Sequence, residues 1–398
     1  MDYQSHFSIP MSSPYLTEAE RQAVMDVLQG TSLSMGPYID RFENAFREFI
    51  GRKFAIGVNS GTAGLHLCVR ASGIGAGNLV ITTPFSFVAS TNVLLYENAV
   101  PVFVDVDPLT GNIDPALVEQ AAADLVAGGS QAKKWLPRKG CQLDGKLKAV
   151  LAVDVFGQPA DFDLLKQTTD RYSISLIEDA CEALGAEYKG RKAGTLGDNA
   201  VFAFYPNKQI TTGEGGLIVT DDTHQAEMMM AMRNQGRAPG DTWLQHTYLG
   251  YNYRMDEMSA ALGAIQMTRL EELLVRRQQV ADWYGQKLAT VDGASAPNID
   301  PHTTRSSWFV YVIRLDKGID RDKMIPYLAA RGIPVRPYFA PIHFQPYITE
   351  RFGYKPGDFP VTEDLGNRGI ALPFSSVMQK EQVEQVCFEL ANAIAQSG

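Results

Sequence analysis

Residues 54–62, Phe54-Ala-Ile-Gly-Val-Asn-Ser-Gly-Thr62, combine an apolar run with a polar turn that contains glycine. The run predicts a β-strand, and the residues after the turn predict a helix that ends near Ala71. Further apolar runs of the same kind occupy 79–82, 101–105, 149–153, 175–178, 200–204 and 217–220. Near-continuous apolar strands that alternate with helices indicate an α/β fold, in which a large domain holds a mainly parallel seven-stranded sheet covered on both faces.

The C-terminal third of the chain has a different pattern. Residues 255–288 repeat apolar side chains at intervals of three and four, which predicts one long helix leading out of the large domain. The run 308–313 then begins a second, smaller α/β unit. We therefore predict a large domain over residues 1–265 and a small C-terminal domain over residues 266–398.

The amino-acid composition excludes several classes of protein. With 45% hydrophobic and 20% charged residues, the chain has the composition of a soluble globular protein. A net charge of -9 argues against binding to nucleic acids or anionic membranes. The four cysteines form no C-x-x-C pair, so we expect neither a metal site nor structural disulfides. Residues 1–6 lack a basic region followed by an apolar stretch, so we expect no secretion signal and a cytoplasmic location.

Residues 128–145 form a basic, turn-rich insertion between a helix and a strand. The favoured interpretation is a solvated surface loop. The alternative is that its cations help to hold a phosphorylated substrate, and the residues concerned are Lys133, Lys134, Arg138 and Lys139.

Lys208 lies between the apolar run 200–204 and the glycine-rich turn 213–216. A lysine at the end of a buried strand is partly removed from water, which lowers the pKa of its amine toward neutrality. Such an amine can form a Schiff base with the aldehyde of pyridoxal 5'-phosphate. A lysine in such a position is more often structural than catalytic, so a cofactor site also requires suitable residues elsewhere in the chain.

Pyridoxal phosphate also needs an acid for its ring nitrogen, donors for its phosphate and a surface for its ring. Asp179 follows a buried strand and supplies the acid. Gly61 and Thr62 open a helix, whose free amides and positive end suit a phosphate. Phe85 or Phe87 supplies the aromatic surface. Each feature alone has an ordinary structural explanation as a helix cap or a core residue.

Four motifs taken together resemble the DegT/DnrJ/StrS-type sugar aminotransferases. They occupy residues 57–63, 84–87, 178–186 and 204–216, and the likeness extends to 249–255, 337–343 and 371–373, all in the order of the family. The resemblance runs from about Ile9 to Ala395. It implies a pyridoxal-phosphate enzyme of the aspartate aminotransferase fold, known as fold type I.

The resemblance also implies roles for individual residues. Lys208 matches the Schiff-base lysine and Asp179 the partner of the pyridine nitrogen, while Phe87 matches the aromatic that stacks on the ring. Gly61 and Thr62 match the phosphate cradle. Asn252 matches an asparagine that reaches the phosphate in the neighbouring subunit, which implies a homodimer with shared active sites.

Two positions distinguish this chain within the family. Glu182 stands where many members have a glutamine that contacts the phenolic oxygen of the cofactor, and this glutamate resembles the GDP-perosamine synthase branch. Ala203 stands where the family usually supplies a serine hydroxyl to the phosphate. This second departure bears on the affinity for the cofactor and leaves the reaction type unchanged.

These matches predict transfer of an amino group, with L-glutamate as donor, to a nucleotide-linked keto sugar such as a 4-keto-6-deoxyhexose. Arg336, Tyr338 and His343 are candidates for contacts with the sugar or its phosphates. One alternative is a related dehydratase or isomerase, although the sugar dehydratases of this family carry histidine in place of the lysine. The other is a non-catalytic regulatory protein that binds pyridoxal phosphate.

Overall fold

The computed structural model describes residues 9–142 and 144–397. The segment 1–6, on which the expectation about a secretion signal rests, lies outside the described residues.

The strands alternate with helices through the first half of the chain. In chain order they are β1 (Phe54–Val58), β2 (Leu79–Thr82), β3 (Val100–Phe103), β4 (Leu147–Val153), β5 (Ser175–Asp179), β6 (Glu187–Tyr188), β7 (Arg191–Lys192), β8 (Asn199–Ala203), β9 (Gly216–Thr220), β10 (Ala294–Ser295), β11 (Thr303–Arg305), β12 (Tyr311–Leu315), β13 (Arg336–Pro337) and β14 (Gly369–Leu372).

The central sheet has seven strands in the order β1-β9-β8-β5-β4-β2-β3. Five adjacent strands of this sheet, β3, β2, β4, β5 and β8, pair in parallel, whereas β9 is antiparallel to both β8 and β1. Only residues 204–215 connect β8 to β9, and they contain no crossover helix, so the chain reverses direction there. The predicted mainly parallel seven-stranded sheet is confirmed, and Lys208 lies in its reversing connection.

The helices cover both faces of this sheet and build the C-terminal unit. They are α1 (Glu18–Gln29), α2 (Pro37–Ile50), α3 (Gly61–Ala71), α4 (Ala89–Tyr96), α5 (Pro115–Ala127), α6 (Gly129–Lys133), α7 (Phe162–Tyr172), α8 (Thr223–Arg233), α9 (Glu257–Thr268), α10 (Leu270–Leu288), α11 (Arg321–Ala329), α12 (Pro346–Phe352), α13 (Pro360–Arg368) and α14 (Lys380–Ser397).

Successive side chains of β8 enter two different cores. Val201 joins a buried cluster with α3 residues such as Leu65, while Phe202 joins a cluster with Phe42 and Phe46 of α2. Strand side chains alternate between the two faces of a sheet, so apolar residues at consecutive positions are buried only when helices cover both faces. This packing fixes β8 rigidly, and with it the start of the connection that carries Lys208.

The C-terminal unit is built on an antiparallel sheet with the order β10-β12-β14-β13. Its core includes residues from α10, α11 and α14, which pack around Ile313 and Ile370. Strand β12 begins at Tyr311, later than the predicted start at Trp308. The reason is that Trp308 has a φ of 51°, a left-handed conformation incompatible with a strand.

The long helix predicted over 255–288 is two helices, α9 and α10. Arg269 interrupts it with φ -114° and ψ 7°, and its guanidinium pairs with Glu20 at 2.7 Å and Glu272 at 3.2 Å. The apolar spacing continues across this break, which is why the sequence pattern did not reveal it. The predicted domain boundary after residue 265 lies inside α9 and stays a prediction.

The basic insertion packs against acidic side chains of its own chain. Lys134 pairs with Asp124 at 2.7 Å, and Arg138 makes two hydrogen bonds to Asp358, one of them at 2.6 Å. Because Lys134 and Arg138 are already paired, they are poor candidates for holding a substrate, whereas the role of Lys133 and Lys139 stays a prediction. In the ranges 9–142 and 144–397, no helix has both the length and the apolar character needed to cross a bilayer.

Candidate active site

A cavity of about 490 Å³ lies at the carboxyl edge of the central sheet, where β5 and β8 end. Ligands of open α/β sheets bind at this edge, and the volume falls within the usual range for cofactor pockets. The residues predicted from the sequence that line it are Gly61, Thr62, Phe87, Asp179, Glu182, Lys208 and Tyr338. Residues separated by more than 270 positions in the chain therefore meet in one site.

Lys208 projects into this cavity from the turn after β8. Its Nζ lies 3.8 Å from Oε1 of Glu182 and 3.7 Å from the centre of the Phe309 ring. Only 12% of its side chain is exposed. The amine thus lies close to both a carboxyl group and an aromatic face, and the side chain is largely removed from water.

Glu182 follows β5, and a backbone amide fixes its carboxyl group. Its Oε2 accepts a hydrogen bond of 2.9 Å from the amide of Phe156. Burial raises the pKa of Glu182 to about 7, against the opposing effect of the Lys208 charge. Its carboxyl group can therefore gain or lose a proton near neutral pH, beside the amine.

Asp179 is the last residue of β5 and is almost completely buried. Its Oδ2 accepts a hydrogen bond of 2.7 Å from the hydroxyl of Ser90, and its Oδ1 accepts one of 3.2 Å from the amide of Cys181. Two donors on different oxygens fix the orientation of the carboxyl group within the cavity.

Gly61 begins α3 at the edge of the cavity, where Ser60 caps the helix by accepting a hydrogen bond of 3.0 Å from the amide of Ala63. A Cβ at position 61 would lie 2.7 Å from Cβ of Ala203 and 3.0 Å from Sγ of Cys181. Only glycine therefore allows the helix to begin this close to β8. The free amides and positive end of α3 form a site for an anion.

The lining fits pyridoxal phosphate. Phe87 is 63% exposed and presents an aromatic surface to the cavity, as a planar ring requires. Asp179 offers a fixed carboxyl group, Lys208 an amine, and the start of α3 an anion site, so the four demands of the cofactor meet in one cavity.

The remaining predicted residues lie in different places. Tyr338 lines the cavity, whereas Arg336 is exposed on β13 and lies outside the lining. Asn252 is also exposed and outside the lining, where its carbonyl accepts a hydrogen bond of 3.2 Å from Nδ2 of Asn59.

Of the three predicted substrate residues, His343 has the position that fits this role least. Its side chain is fully buried, and its Nε2 lies 3.1 Å from Oε1 of Glu363. The ring packs against Phe344 and Phe359, and burial lowers the pKa of the imidazole. This geometry gives the predicted substrate contact no support.

Phe309 and Ser90 are among the cavity residues that the sequence pattern does not indicate. Phe309 belongs to the run 308–313, whose pattern predicts only a strand, and its ring centre lies 3.7 Å from Nζ of Lys208. Ser90 follows Phe87 by three positions, on the first turn of α4. A hydroxyl in the first turn of a helix after a buried strand was the available signal. Among residues 9–142 and 144–397, no group of three histidine, cysteine or acidic side chains is placed to hold a metal ion.

The fold and the lining define a pyridoxal-phosphate-dependent aminotransferase of fold type I. The chain belongs to the DegT/DnrJ/EryC1/StrS aminotransferase family, whose sequence profile matches residues 14–391. This match confirms the predicted family, enzyme class and cofactor.

Individual relatives agree with this assignment. The GDP-perosamine synthase of Caulobacter vibrioides is 36% identical over 381 residues, which are 95% of this chain and 96% of the relative. The putative pyridoxal phosphate-dependent aminotransferase EpsN of Bacillus subtilis is 33% identical over 383 residues, 96% of this chain and 94% of the relative. The solved structure of Helicobacter pylori PseC, an aminotransferase involved in the biosynthesis of pseudoaminic acid, superposes with a TM-score of 0.87. It is 27% identical and covers 98% of this chain and 99% of its own.

Proposed function

We propose that this enzyme transfers an amino group from L-glutamate to a nucleotide-linked 4-keto-6-deoxyhexose, as a GDP-perosamine synthase would. The observation that carries the proposal is the amine of Lys208, which lies within 4 Å of both Glu182 and the ring of Phe309 in the cavity that Asp179 also lines. The 36% identity to a GDP-perosamine synthase and the presence of Glu182 support a GDP-linked sugar.

The residues that would hold the cofactor follow from their positions. Lys208 would bind its aldehyde, Asp179 would face its ring nitrogen, and Phe87 would lie against its ring. Thr62 and the amides at the start of α3 would hold its phosphate. When bound, pyridoxal phosphate supplies an aldehyde that condenses with amines and a ring that withdraws electrons. Glu182 would contact its phenolic oxygen.

Proton transfer would be the second task of Lys208. After the amino donor displaces it, its Nζ would accept the proton that leaves the α-carbon of the donor. The site suits this task because the side chain of Lys208 is largely buried, with the face of Phe309 at 3.7 Å and Glu182 at 3.8 Å from its Nζ. The dehydratase alternative is disfavoured because a lysine occupies this position. A regulatory role is disfavoured because the residues needed for catalysis meet in one cavity.

Asn252 supports a homodimer with shared sites. Its position is exposed and outside the lining of its own cavity, as expected of a residue that reaches a neighbouring subunit. The four cysteines are free thiols, which agrees with a cytoplasmic location.

The proposal is tested by incubating the purified enzyme with L-glutamate and each of three 4-keto-6-deoxy sugars, linked to GDP, dTDP or UDP. Mass spectrometry of the products should show replacement of the keto oxygen by an amine, most rapidly with the GDP-linked sugar. A product that has lost a hydroxyl without gaining nitrogen would instead identify a dehydratase. If none of the three sugars reacts, the nucleotide-sugar proposal fails, although the cofactor assignment stands.

A further inference from the structure

Arg277, on α10, is a cation buried without an acidic partner. It is 2% exposed, and no carboxylate of residues 9–142 or 144–397 lies within 4.0 Å of its guanidinium. Burial alone lowers its pKa to about 10. A buried charge is costly unless polar groups surround it, so the contacts of this guanidinium need an explanation.

Those contacts are carbonyl oxygens from two separate segments. One terminal nitrogen, Nη2, donates to the carbonyls of Asn207 at 3.2 Å and Lys208 at 2.6 Å. The other, Nη1, donates to the carbonyls of Trp308 at 3.0 Å and Phe309 at 3.3 Å. A guanidinium is a rigid planar fork, so the two segments are held at a fixed separation.

A second set of buried hydrogen bonds connects the Lys208 and Trp308 segments with a third segment, which contains Glu182. Nε2 of Gln209 donates to the carbonyl of Glu182 at 2.6 Å and to the hydroxyl of Ser307 at 2.8 Å. Gln209 follows Lys208 in the chain, and Ser307 precedes Trp308. We call Arg277, Gln209 and Ser307 the amine frame.

The three segments joined by the amine frame carry the amine and both groups beside it. Nζ of Lys208 contacts the ring of Phe309 and the carboxyl group of Glu182 at 3.7 Å and 3.8 Å. Trp308 is held at a φ of 51°, which an ordinary side chain adopts only where its surroundings require it. The hydrogen bond from Arg277 to the Trp308 carbonyl is one such requirement, and it orients the adjoining Phe309.

We propose that Arg277, with Gln209 and Ser307, is a positioning residue of the reaction: it sets the place of the Lys208 amine relative to Phe309 and Glu182. Arg277 touches neither substrate nor cofactor in this proposal and acts through the backbone of the residues that do. The inference rests on the proposed role of Lys208 and adds residues outside the cavity to it.

The Arg277→Lys variant tests the frame. Lysine keeps the charge, but its donors radiate from a single nitrogen on a flexible stem, so it does not hold the two segments at the separation that the planar guanidinium sets. With L-glutamate as the only substrate, we expect the limiting rate of the absorbance change to fall by about tenfold or more, because small displacements of a catalytic group have large effects. The KM for L-glutamate should change by less than about twofold, since Arg277 lies outside the cavity and does not touch the donor.

A second measurement needs no turnover. In the resting holoenzyme, the pH midpoint of the visible absorbance depends on the surroundings of the Lys208 nitrogen, so Arg277→Lys should move it by about half a pH unit or more. Arg276→Lys is the matched control: Arg276 is the preceding residue of α10, is exposed, and pairs with Glu272 at 2.9 Å. It should leave both the rate and the midpoint unchanged.

The proposal is overturned if folded Arg277→Lys keeps both the wild-type rate and the wild-type midpoint, or if only its KM changes. If that variant does not fold, the same two measurements are made on Gln209→Met, which removes the second set of buried hydrogen bonds. A wild-type rate and midpoint in that variant would then overturn the proposal. If the wild-type enzyme does not react with L-glutamate, the proposed donor is wrong, and the shift of the midpoint alone then decides the role of the frame.

Discussion

The amine of Lys208 and the carboxyl group of Glu182 face each other at 3.8 Å, and both side chains are largely buried. Opposite charges at this distance attract more strongly in a protein interior than in water. An ionised Glu182 therefore attracts a positive charge at the Lys208 position, and a protonated Glu182 does not. Because burial raises the pKa of Glu182 to about 7, the charge that Glu182 presents to Lys208 changes within the physiological pH range.

The first prediction concerns Glu182→Gln and the stability of the cofactor-free protein. The folded protein keeps a proton on Glu182 up to about pH 7, whereas the unfolded chain releases it near the ordinary value of 4.5. Glu182 therefore lowers the free energy of unfolding as pH rises from 4.5 to 7, by up to about 3 kcal/mol. Urea unfolding should show the stability of Glu182→Gln relative to wild type increasing over this window. A difference independent of pH would contradict the raised pKa.

The second prediction concerns Gly61→Ala at the start of α3. The new Cβ would lie 2.7 Å from Cβ of Ala203, so the helix end must move, at a cost of about 1–3 kcal/mol. We expect the dissociation constant for pyridoxal phosphate to rise by about tenfold or more. Gly75→Ala is the control, since a Cβ there meets no atom within 4 Å. Equal affinities in the two variants would show that this helix end does not hold the phosphate.

The third prediction concerns Ala203→Ser, which introduces the serine that the family usually has at this position. Ala203 lies at the end of β8 and lines the cavity, so a serine there adds a hydroxyl donor next to the start of α3. One added hydrogen bond contributes about 0.5–1.5 kcal/mol, which should tighten cofactor binding about two- to tenfold. Fluorescence titration of cofactor-free protein with pyridoxal phosphate measures this. Ala203→Val adds volume without a donor and should weaken binding; tightening by both variants would exclude the hydrogen-bond explanation.

The fourth prediction separates His343 from substrate binding. His343→Asn leaves Glu363 without its buried partner, so thermal unfolding should show a loss of about 1–3 kcal/mol. The KM for the sugar should not change. Tyr338→Ala, which removes a side chain from the cavity lining, should raise that KM. A raised KM in a fully folded His343→Asn enzyme would restore His343 as a substrate contact.

The sequence predicts best what depends on local pattern. Apolar runs predicted the seven strands, and Asp179 and Gly61 were singled out because Asp179 ends a strand and Gly61 begins a helix. Lys208 was singled out because it follows the apolar run 200–204, and it lies in the connection between β8 and β9. The amine frame could not be found this way, because Arg277 looks like any other charge on an amphipathic helix. Its burial and its four carbonyl contacts exist only once α10 has packed against the turn of Lys208. His343 shows the opposite case, since its motif suggested a site and tertiary packing buried it.

An absorbance measurement with L-glutamate tests whether Lys208 is the amine that binds the cofactor and transfers the proton. The purified wild-type enzyme should show the visible band of lysine-bound pyridoxal phosphate, and L-glutamate should convert it to the pyridoxamine form. Lys208→Ala should lack the band of lysine-bound cofactor and should not catalyse this conversion. A Lys208→Ala protein that performs the conversion catalytically, at a rate near that of wild type, would contradict the account.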